Sequence, residues 1–141
     1  MILIDSNVVI DLLKASGEWQ EWSENAVVEA SADYEIAISQ IVVAEVAPRL
    51  GSLGAFIEWI DQFGASVLEL TNESAFNAGV AFNNYRARRR DGQDTVRSII
   101  ADFLIGGHAQ TLDATILTRD PRFYRTYFPS VPLITPNKAE Q

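Results

Sequence analysis

Four acidic residues lie inside or directly after apolar stretches, and their types and contexts could support metal chemistry. Asp5 follows the run ILI, Glu45 lies in IVVAEVA, Asp102 lies in SIIADFLI, and Asp120 follows TILTR. An ionised carboxylate in apolar surroundings is strongly disfavoured unless it has a partner. Arginines are one candidate partner. Mg²⁺ or Mn²⁺ explains several such carboxylates more economically, because these cations prefer oxygen ligands and offset the repulsion between them.

Each acid also has a structural interpretation. Asp5 could cap the helix that follows it, and Glu45 could pair with Arg49 at the i, i+4 spacing of a helix. Asp120 precedes a proline, so it could start a turn or cap the next helix. Asp102 is harder to explain in this way, because apolar residues surround it in the sequence. Taken jointly, the four contexts favour a site.

The other notable polar residues are interpreted as structural. Asp11 is expected on the outer side of the first helix, Asp113 at the opposite edge of the sheet, and Asp94 at a helix cap. His108 lies six residues after Asp102, well round the helix from it, which favours a packing or surface role over metal ligation. The sequence shows no histidine general base, serine nucleophile elbow, phosphate-binding glycine loop or Cys/His metal signature.

Short apolar runs alternating with helical periodicity predict the framework that positions these acids. The unbroken run ILI is typical of a strand buried on both faces of a parallel sheet. Asp5 would then lie at the carboxyl end of a central strand, where ligands of open α/β sheets usually bind. Ser6 or Asn7 is expected to cap the first helix, and Ser39 the helix that carries Glu45. The predicted fold is α/β, with a parallel sheet of four to five strands flanked by helices on both faces. The predicted strands are residues 2–4, 35–39, 66–70, 115–118 and 131–135.

The length of 141 residues fits one domain, which we assign to residues 1–135, followed by a C-terminal tail at residues 136–141. The chain contains no cysteine, which excludes disulfides and thiolate zinc sites. It shows neither a signal-peptide pattern nor an apolar run long enough to span a membrane. We therefore expect a cytoplasmic protein that does not bind a membrane.

The charge is distributed unevenly. The net charge of −8 taken alone argues against a nonspecific nucleic-acid binder. However, only Arg49 accompanies the eleven acids between Glu18 and Glu73, whereas eight arginines and five acids lie between Arg86 and Arg125. The second half of the chain can therefore present arginine to phosphate or to an acidic partner.

Four motifs, in this order, resemble those of the PIN-domain ribonucleases, particularly the VapC-type toxins of bacterial type II toxin-antitoxin pairs. ILIDSNVVIDLL resembles the first acidic motif of that family, ISQIVVAEV the second, IADFLIGGHA the third and ILTRD the fourth. The similarity spans nearly the whole chain, with comparable spacing between the motifs. The resemblance implies that residues 1–135 form a PIN-like nuclease domain.

Transferred residue by residue, the resemblance implies a catalytic acidic site formed by Asp5, Glu45, Asp102 and Asp120. Mg²⁺ or Mn²⁺ is the implied cofactor. Asp5 and Asp102 are the expected direct ligands, and Asp120 is expected to bind directly or through water. Glu45 would complete the shell or orient the attacking water.

Further residues match supporting positions of the same motifs. Asn7 and Thr118 match polar positions that commonly support the acids, and Ser39 matches the hydroxyl position before the second acid. The arginines near these motifs are candidates for contact with RNA or with an antitoxin, although an arginine run is also typical of a solvated helix end. These candidates are Arg86, Arg88, Arg89, Arg90 and Arg119.

The resemblance implies a metal-dependent endoribonuclease toxin that cleaves structured RNA such as transfer or ribosomal RNA. It also implies a homodimer and neutralisation by a cognate antitoxin. The alternatives are a housekeeping PIN ribonuclease of RNA processing and a non-catalytic interaction module whose acids serve as caps and ion pairs. A phosphoryl-accepting signalling domain is disfavoured, because the only lysines, Lys14 and Lys138, do not follow a predicted central strand.

Overall fold

The computed structural model describes residues 1–88 and 96–136 of the chain. Arg89, Arg90, the predicted cap Asp94 and residues 137–141 of the predicted tail lie outside the described residues. The described strands are β1 (Ile2–Ile4), β2 (Ile36–Ser39), β3 (Ser66–Leu68), β4 (Thr115–Leu117) and β5 (Leu133–Ile134). The described helices are α1 (Ser6–Leu13), α2 (Gln20–Asp33), α3 (Gln40–Leu50), α4 (Leu53–Phe63), α5 (Asn72–Arg88), α6 (Val96–Leu112) and α7 (Pro121–Tyr127).

The five strands form one parallel sheet in the order β3-β2-β1-β4-β5. β1 is central, and Ile2 is in register with Ile36 of β2 on one side and with Thr115 of β4 on the other. All three residues of β1 are buried, as required of a strand covered on both faces. The predicted α/β fold is therefore confirmed, with the carboxyl ends of β1, β2 and β4 meeting at one edge.

The caps of the helices that leave this edge differ in part from the prediction. Asp5, not Ser6 or Asn7, is the N-cap of α1, because its extended backbone directs the side chain to the Ser6 amide, 2.8 Å away. The predicted cap of α3 is confirmed: the Ser39 hydroxyl accepts a hydrogen bond from the Ile41 amide at 3.3 Å. The two caps thus fix the first turn of α1, which follows Asp5, and of α3, which carries Glu45.

Glycines allow α6 to lie unusually close to its neighbours. A Cβ atom on Gly107 would lie 2.5 Å from the Ser74 carbonyl oxygen and 2.8 Å from the Ala78 nitrogen of α5. A Cβ atom on Gly106 would collide with the Phe128 ring. The small residues one turn after Asp102 therefore determine how α6 approaches the rest of the molecule.

An aromatic cluster holds the segment of α6 that contains Asp102. Phe103 is 1% exposed, and its ring meets Phe123 of α7 edge-on, with 4.7 Å between the centroids. Phe82 of α5 contacts the same ring edge-on at 5.2 Å. Such contacts stabilise beyond the burial of apolar area alone, and here they anchor the residue next to Asp102.

In the described part of the chain, no single helix has the length and apolar composition needed to cross a membrane. Only α3 and α4 taken together reach that length and composition, and a bend of 116° separates them.

Candidate active site

Asp5 is the most firmly held of the four acids. Its side chain is buried at the end of β1, and Oδ1 accepts from the Ser6 amide at 2.8 Å. Oδ2 accepts from the Thr118 hydroxyl at 2.8 Å and from the Tyr124 hydroxyl at 3.0 Å, with Asn7 Nδ2 a longer contact at 3.4 Å. Donors from α1, α7 and the end of β4 therefore fix the orientation of this carboxylate.

Burial affects the pKa of Asp5 more than the hydrogen bonds to its carboxylate do. Removal from water raises the pKa of Asp5, although hydrogen bonds from Thr118, Ser6 and Tyr124 act in the opposite direction by stabilising the charged form. A buried carboxylate with a raised pKa is poised to accept a cation or a proton.

Glu45 lies on α3 and faces the same region. Burial raises the pKa of Glu45, the Ser6 side chain partly offsets this rise by hydrogen bonding, and the charge of Asp5 adds to it. Its Oε1 atom is buried and has no hydrogen-bond partner among the described residues. Arg49 is exposed, and no ion pair joins it to Glu45, so the structural interpretation of Glu45 is not realised.

The pKa of Asp102 is influenced by the charges of the other three acids. Burial has the largest effect on the pKa of Asp102, and together with the negative charges of Asp5, Glu45 and Asp120, in that order, it raises this pKa to about 7. Charge interactions of this kind weaken with distance and with solvent screening. Four acids from four separate segments of the chain therefore lie within electrostatic reach of one another.

Asp120 occupies the N-cap position of α7 without capping the helix. Its side chain makes no capping hydrogen bond, while its amide donates to the Thr118 hydroxyl at 3.1 Å. Pro121 follows at the first helical position and has no amide hydrogen to cap. The exposed carboxylate of Asp120 thus remains available to a ligand.

Asn7 and Thr118 form the link between α1 and the segment after β4. Asn7 Nδ2 donates to the Thr118 hydroxyl oxygen at 3.1 Å, and Asn7 Oδ1 accepts from the Arg119 amide at 3.2 Å. Thr118 is fully buried and donates in turn to Asp5. Asn7 and Thr118 therefore join α1 to the segment after β4 beside Asp5, and their supporting role for the catalytic acids stays a prediction.

In the described part of the chain, the side-chain hydrogen bonds of Ser39 join it to residues other than the four acids. Its hydroxyl caps α3 and lies 2.9 Å from Nδ1 of His108. His108 is 1% exposed, and burial lowers its pKa although hydrogen bonding to the Glu69 backbone acts in the opposite direction. His108 is therefore a neutral packing residue. Ser39 is connected to Glu45 through α3, the helix that Ser39 caps and that carries Glu45.

The predicted outer position of Asp11 is wrong. Asp11 is 3% exposed, because α2 and the segment after β4 cover that side of α1. Its carboxylate accepts from the Ser23 hydroxyl at 2.7 Å and from Arg119 Nε and Nη2 at 2.6 and 3.1 Å.

The arginines predicted to contact RNA or an antitoxin occupy different environments. Arg119 is engaged by Asp11 and is three-quarters buried. Arg86 and Arg88 are exposed at the end of α5, and the Arg88 guanidinium lies 5.6 Å from the centroid of the Tyr127 ring. Arg89 and Arg90 belong to the undescribed segment.

Sequence reasoning named Ser6 only as a candidate helix cap and did not single out Tyr124, although both residues touch the acids. Ser6 acts on both Asp5 and Glu45, and Tyr124 donates to Asp5. Tyr124 lies four residues after Asp120, one helical turn away, so its spacing was a usable signal. Nothing in the local sequence distinguished Ser6 from any other first-turn serine.

The acids fit a divalent cation in their chemistry. Carboxylate oxygens are hard donors of the kind that Mg²⁺ and Mn²⁺ prefer, and the buried Oε1 of Glu45 has no hydrogen-bond partner among the residues that the structure describes. Across residues 1–88 and 96–136, no group of three or more His, Cys, Asp or Glu side chains is already assembled as a metal cage. The residues present thus suit a hard cation in donor type and charge, without forming a closed site in advance.

Comparison with known proteins supports the fold on which these residues lie. No curated protein matches the sequence. Among solved structures, VapBC2 from Rickettsia felis, bound to a DNA fragment from its promoter, superposes with a TM-score of 0.71 at 17% identity, covering 97% of this chain and 100% of that chain. VapBC-1 from nontypeable Haemophilus influenzae gives a TM-score of 0.68 at 19% identity, with coverage of 96% and 98%. A toxin-antitoxin complex from Klebsiella pneumoniae gives 0.65 at 19% identity, with coverage of 97% and 98%.

These structural likenesses establish the fold. The sequence itself matches the family model of the PIN domain over residues 2–129, a range that contains all four acids and every supporting residue named above. The chain therefore belongs to the PIN domain family.

Proposed function

We propose that this protein is a metal-dependent endoribonuclease toxin that cleaves structured RNA and is neutralised by a cognate antitoxin. The observation that carries the proposal is the convergence of four carboxylates with no cationic side chain paired to any of them in the described part of the chain. Retaining such a cluster of like charges is costly unless a ligand compensates it.

The family and the structural relatives support the proposal. PIN domains are generally nucleases. The solved relatives are VapBC assemblies and a toxin-antitoxin complex, which favours a toxin over a housekeeping ribonuclease. The homodimer and the cytoplasmic location implied by the resemblance stay predictions.

Asp5 and Asp102 would hold the metal directly, and Asp120 would bind it directly or through water. When bound, Mg²⁺ or Mn²⁺ supplies activation of a water molecule and stabilisation of the charge that develops on phosphorus. Thr118 and Tyr124 keep the Asp5 carboxylate in one orientation through their hydroxyl hydrogen bonds. Such partners of a ligand are worth about 10- to 100-fold in metal affinity or activity.

Glu45 is placed to handle a proton. Its Oε1 has no protein partner among the described residues, and its raised pKa makes it a better proton acceptor than an ordinary glutamate. We assign it to orienting the attacking water and accepting its proton. The exposed Arg86 and Arg88 remain candidates for contact with RNA phosphate or with the antitoxin.

The proposal is tested by incubating antitoxin-free protein with total transfer and ribosomal RNA in Mg²⁺, Mn²⁺ or chelator. The wild type is compared with Asp5→Asn and Asp102→Asn, and with Asp113→Asn as the matched control. Asp113 is exposed and precedes β4, at the opposite end of that strand from Asp120. We expect discrete, metal-dependent products that are unchanged in the control and that fall in the two site variants by at least about 10- to 100-fold, the loss typical of removing a partner of a metal ligand.

Equal cleavage by all four proteins would identify a contaminating nuclease and refute the proposal. Absence of cleavage by the wild type with every RNA and metal would favour the non-catalytic interaction module. Cleavage combined with the absence of a small neighbouring antitoxin gene would favour the housekeeping ribonuclease instead.

A further inference from the structure

Arg119 and Asp11 form a two-contact ion pair beside the candidate site. Nε and Nη2 of Arg119 donate to the two carboxylate oxygens of Asp11 at 2.6 and 3.1 Å. The side chain of Asp11 is 4% exposed and that of Arg119 is 25% exposed. A planar guanidinium meeting a carboxylate through two parallel bonds fixes orientation as well as distance.

The backbone of Arg119 is attached to the same helix. Its amide donates to Asn7 Oδ1 at 3.2 Å. Asn7 and Asp11 are four residues apart in α1 and therefore lie on one face of that helix. Arg119 is thus held on α1 by its main chain and by its side chain together.

A second helix completes the arrangement. The Ser23 hydroxyl of α2 donates to Asp11 Oδ2 at 2.7 Å, and the Arg119 guanidinium lies 5.6 Å from the centroid of the Trp19 ring, within the range of a cation–π contact. The ion pair is therefore contacted by Ser23 of α2 on the Asp11 side and by Trp19, the N-cap residue of α2, on the Arg119 side.

The residues on either side of Arg119 are those that meet the acidic cluster. Thr118 donates to Asp5 at 2.8 Å and accepts from the Asp120 amide at 3.1 Å. Asp120 has no capping bond that would fix its carboxylate by itself. Movement of Arg119 along α1 would therefore displace one residue that orients Asp5 and one acid of the cluster.

We propose that Arg119, locked by Asp11, is a positioning residue that holds the segment between β4 and α7 so that Thr118 and Asp120 face Asp5. This role rests on the proposed nuclease function and replaces direct RNA contact as the purpose of Arg119. Asp11 joins the supporting set, although it is not one of the four acids of the cluster.

The two roles of Arg119 give opposite results for Asp11→Asn. A positioning role needs the Asp11 carboxylate, so this variant would weaken the site. An RNA contact would only gain from releasing the guanidinium, because a free arginine can bind phosphate. Arg119→Lys separates the roles further, since lysine keeps the charge but cannot form the planar two-bond contact.

The test measures the dissociation constant of Mn²⁺ by electron paramagnetic resonance, and kcat and KM for RNA cleavage, in the full chain. The variants are Asp11→Asn, Arg119→Lys and their combination. Arg125→Gln, an exposed arginine in the last turn of α7, is the matched control. Circular dichroism and thermal melting establish that each variant is folded, and Arg119→Lys, at the partly exposed partner, serves if Asp11→Asn does not fold.

We expect each single variant to weaken Mn²⁺ binding and to lower kcat by about 10- to 100-fold, as for other residues that orient metal ligands, with KM within twofold of the wild type. The double variant should lose little more than either single one, because both remove the same interaction. The control should match the wild type.

Wild-type Mn²⁺ affinity and kcat in Asp11→Asn, or a salt-dependent rise in KM confined to Arg119→Lys, would overturn the inference while the nuclease stands. A wild-type protein that neither binds Mn²⁺ nor cleaves RNA would instead overturn the proposed function, and the positioning role with it.

Discussion

The hydroxyl of Tyr124 donates a hydrogen bond to Oδ2 of Asp5 across 3.0 Å, joining two residues 119 positions apart in the chain. Both side chains are almost completely buried. The bond thus places a donor from α7 on the acid at the end of the central strand. Removing this hydrogen bond tests how strongly the site depends on the residues that orient the Asp5 carboxylate.

We expect Tyr124→Phe to lower kcat and Mn²⁺ affinity by about 10- to 100-fold, the range for residues that orient a metal ligand. The ring remains, so packing is preserved, and only the hydrogen bond to Asp5 is lost. Tyr127→Phe, on the same helix and in the same aromatic cluster, is the control and should retain wild-type kinetics. An unaltered kcat in Tyr124→Phe would show that Thr118 and Ser6 orient Asp5 sufficiently.

The acidic cluster should make the metal-free protein less stable as pH rises. The pKa of Asp102 is about 7 in the folded protein against 3.8 for an ordinary aspartate. Folding thus favours the protonated form of Asp102. The contribution of Asp102 to the free energy of unfolding is fully present below about pH 4 and is lost as pH rises through 7. Because Asp102 is partly exposed, we discount this loss of stability to about 1 kcal/mol. A loss of that size lowers the melting temperature by about 3 °C.

This pH dependence is measured by thermal melting in chelator between pH 5 and 8, for the wild type and Asp102→Asn. The melting temperature of the wild type relative to the variant should fall as pH rises. Mn²⁺ should raise the melting temperature of the wild type more at pH 8 than at pH 5, because ionised carboxylates bind the cation. A constant difference between the two proteins across this range would contradict the prediction.

His108 should matter for stability at neutral pH. Its Nδ1 lies 2.9 Å from the Ser39 hydroxyl, so His108→Leu leaves buried polar groups unpaired, at a cost of about 1–3 kcal/mol. Urea denaturation at pH 7.5 measures this cost, and Gln110→Leu, an exposed position two residues on, is the control.

The contribution of His108 to stability should also depend on pH, because the folded pKa of His108 is lowered. This contribution is present above the unfolded pKa near 6.5 and is lost as pH falls through the lower folded value.

Two glycines should respond oppositely to the same substitution. Gly107→Ala forces a Cβ to within 2.5 Å of the Ser74 carbonyl oxygen, so α5 and α6 must separate, at about 1–3 kcal/mol. Gly79→Ala, in the middle of α5, meets no atom within 4 Å and should stabilise the protein by about 0.5–1 kcal/mol, because alanine loses less backbone entropy in a helix. Urea denaturation of both variants checks the pair. Equal effects would mean that α5 and α6 pack less closely than the structure shows.

The sequence alone predicted the framework because its signals are local. A central parallel strand must be apolar on both faces, so the run ILI identified β1, and Ser39 identified the start of α3. The four acids stood out because each carboxylate occurs in an apolar context. The structure brings them within electrostatic reach, while their catalytic role stays a prediction.

Tertiary structure decided what lies opposite each side chain. Asp11 has the sequence context of a surface helix residue, and only the packing of Arg119, 108 positions later, buries it in an ion pair. Tyr124 is one aromatic residue among several until α7 docks against Asp5. Helical and strand periodicity determine which face of an element a residue occupies, but the partner on the other side depends on contacts between distant segments. Those contacts determine which polar residues hold the acidic site together.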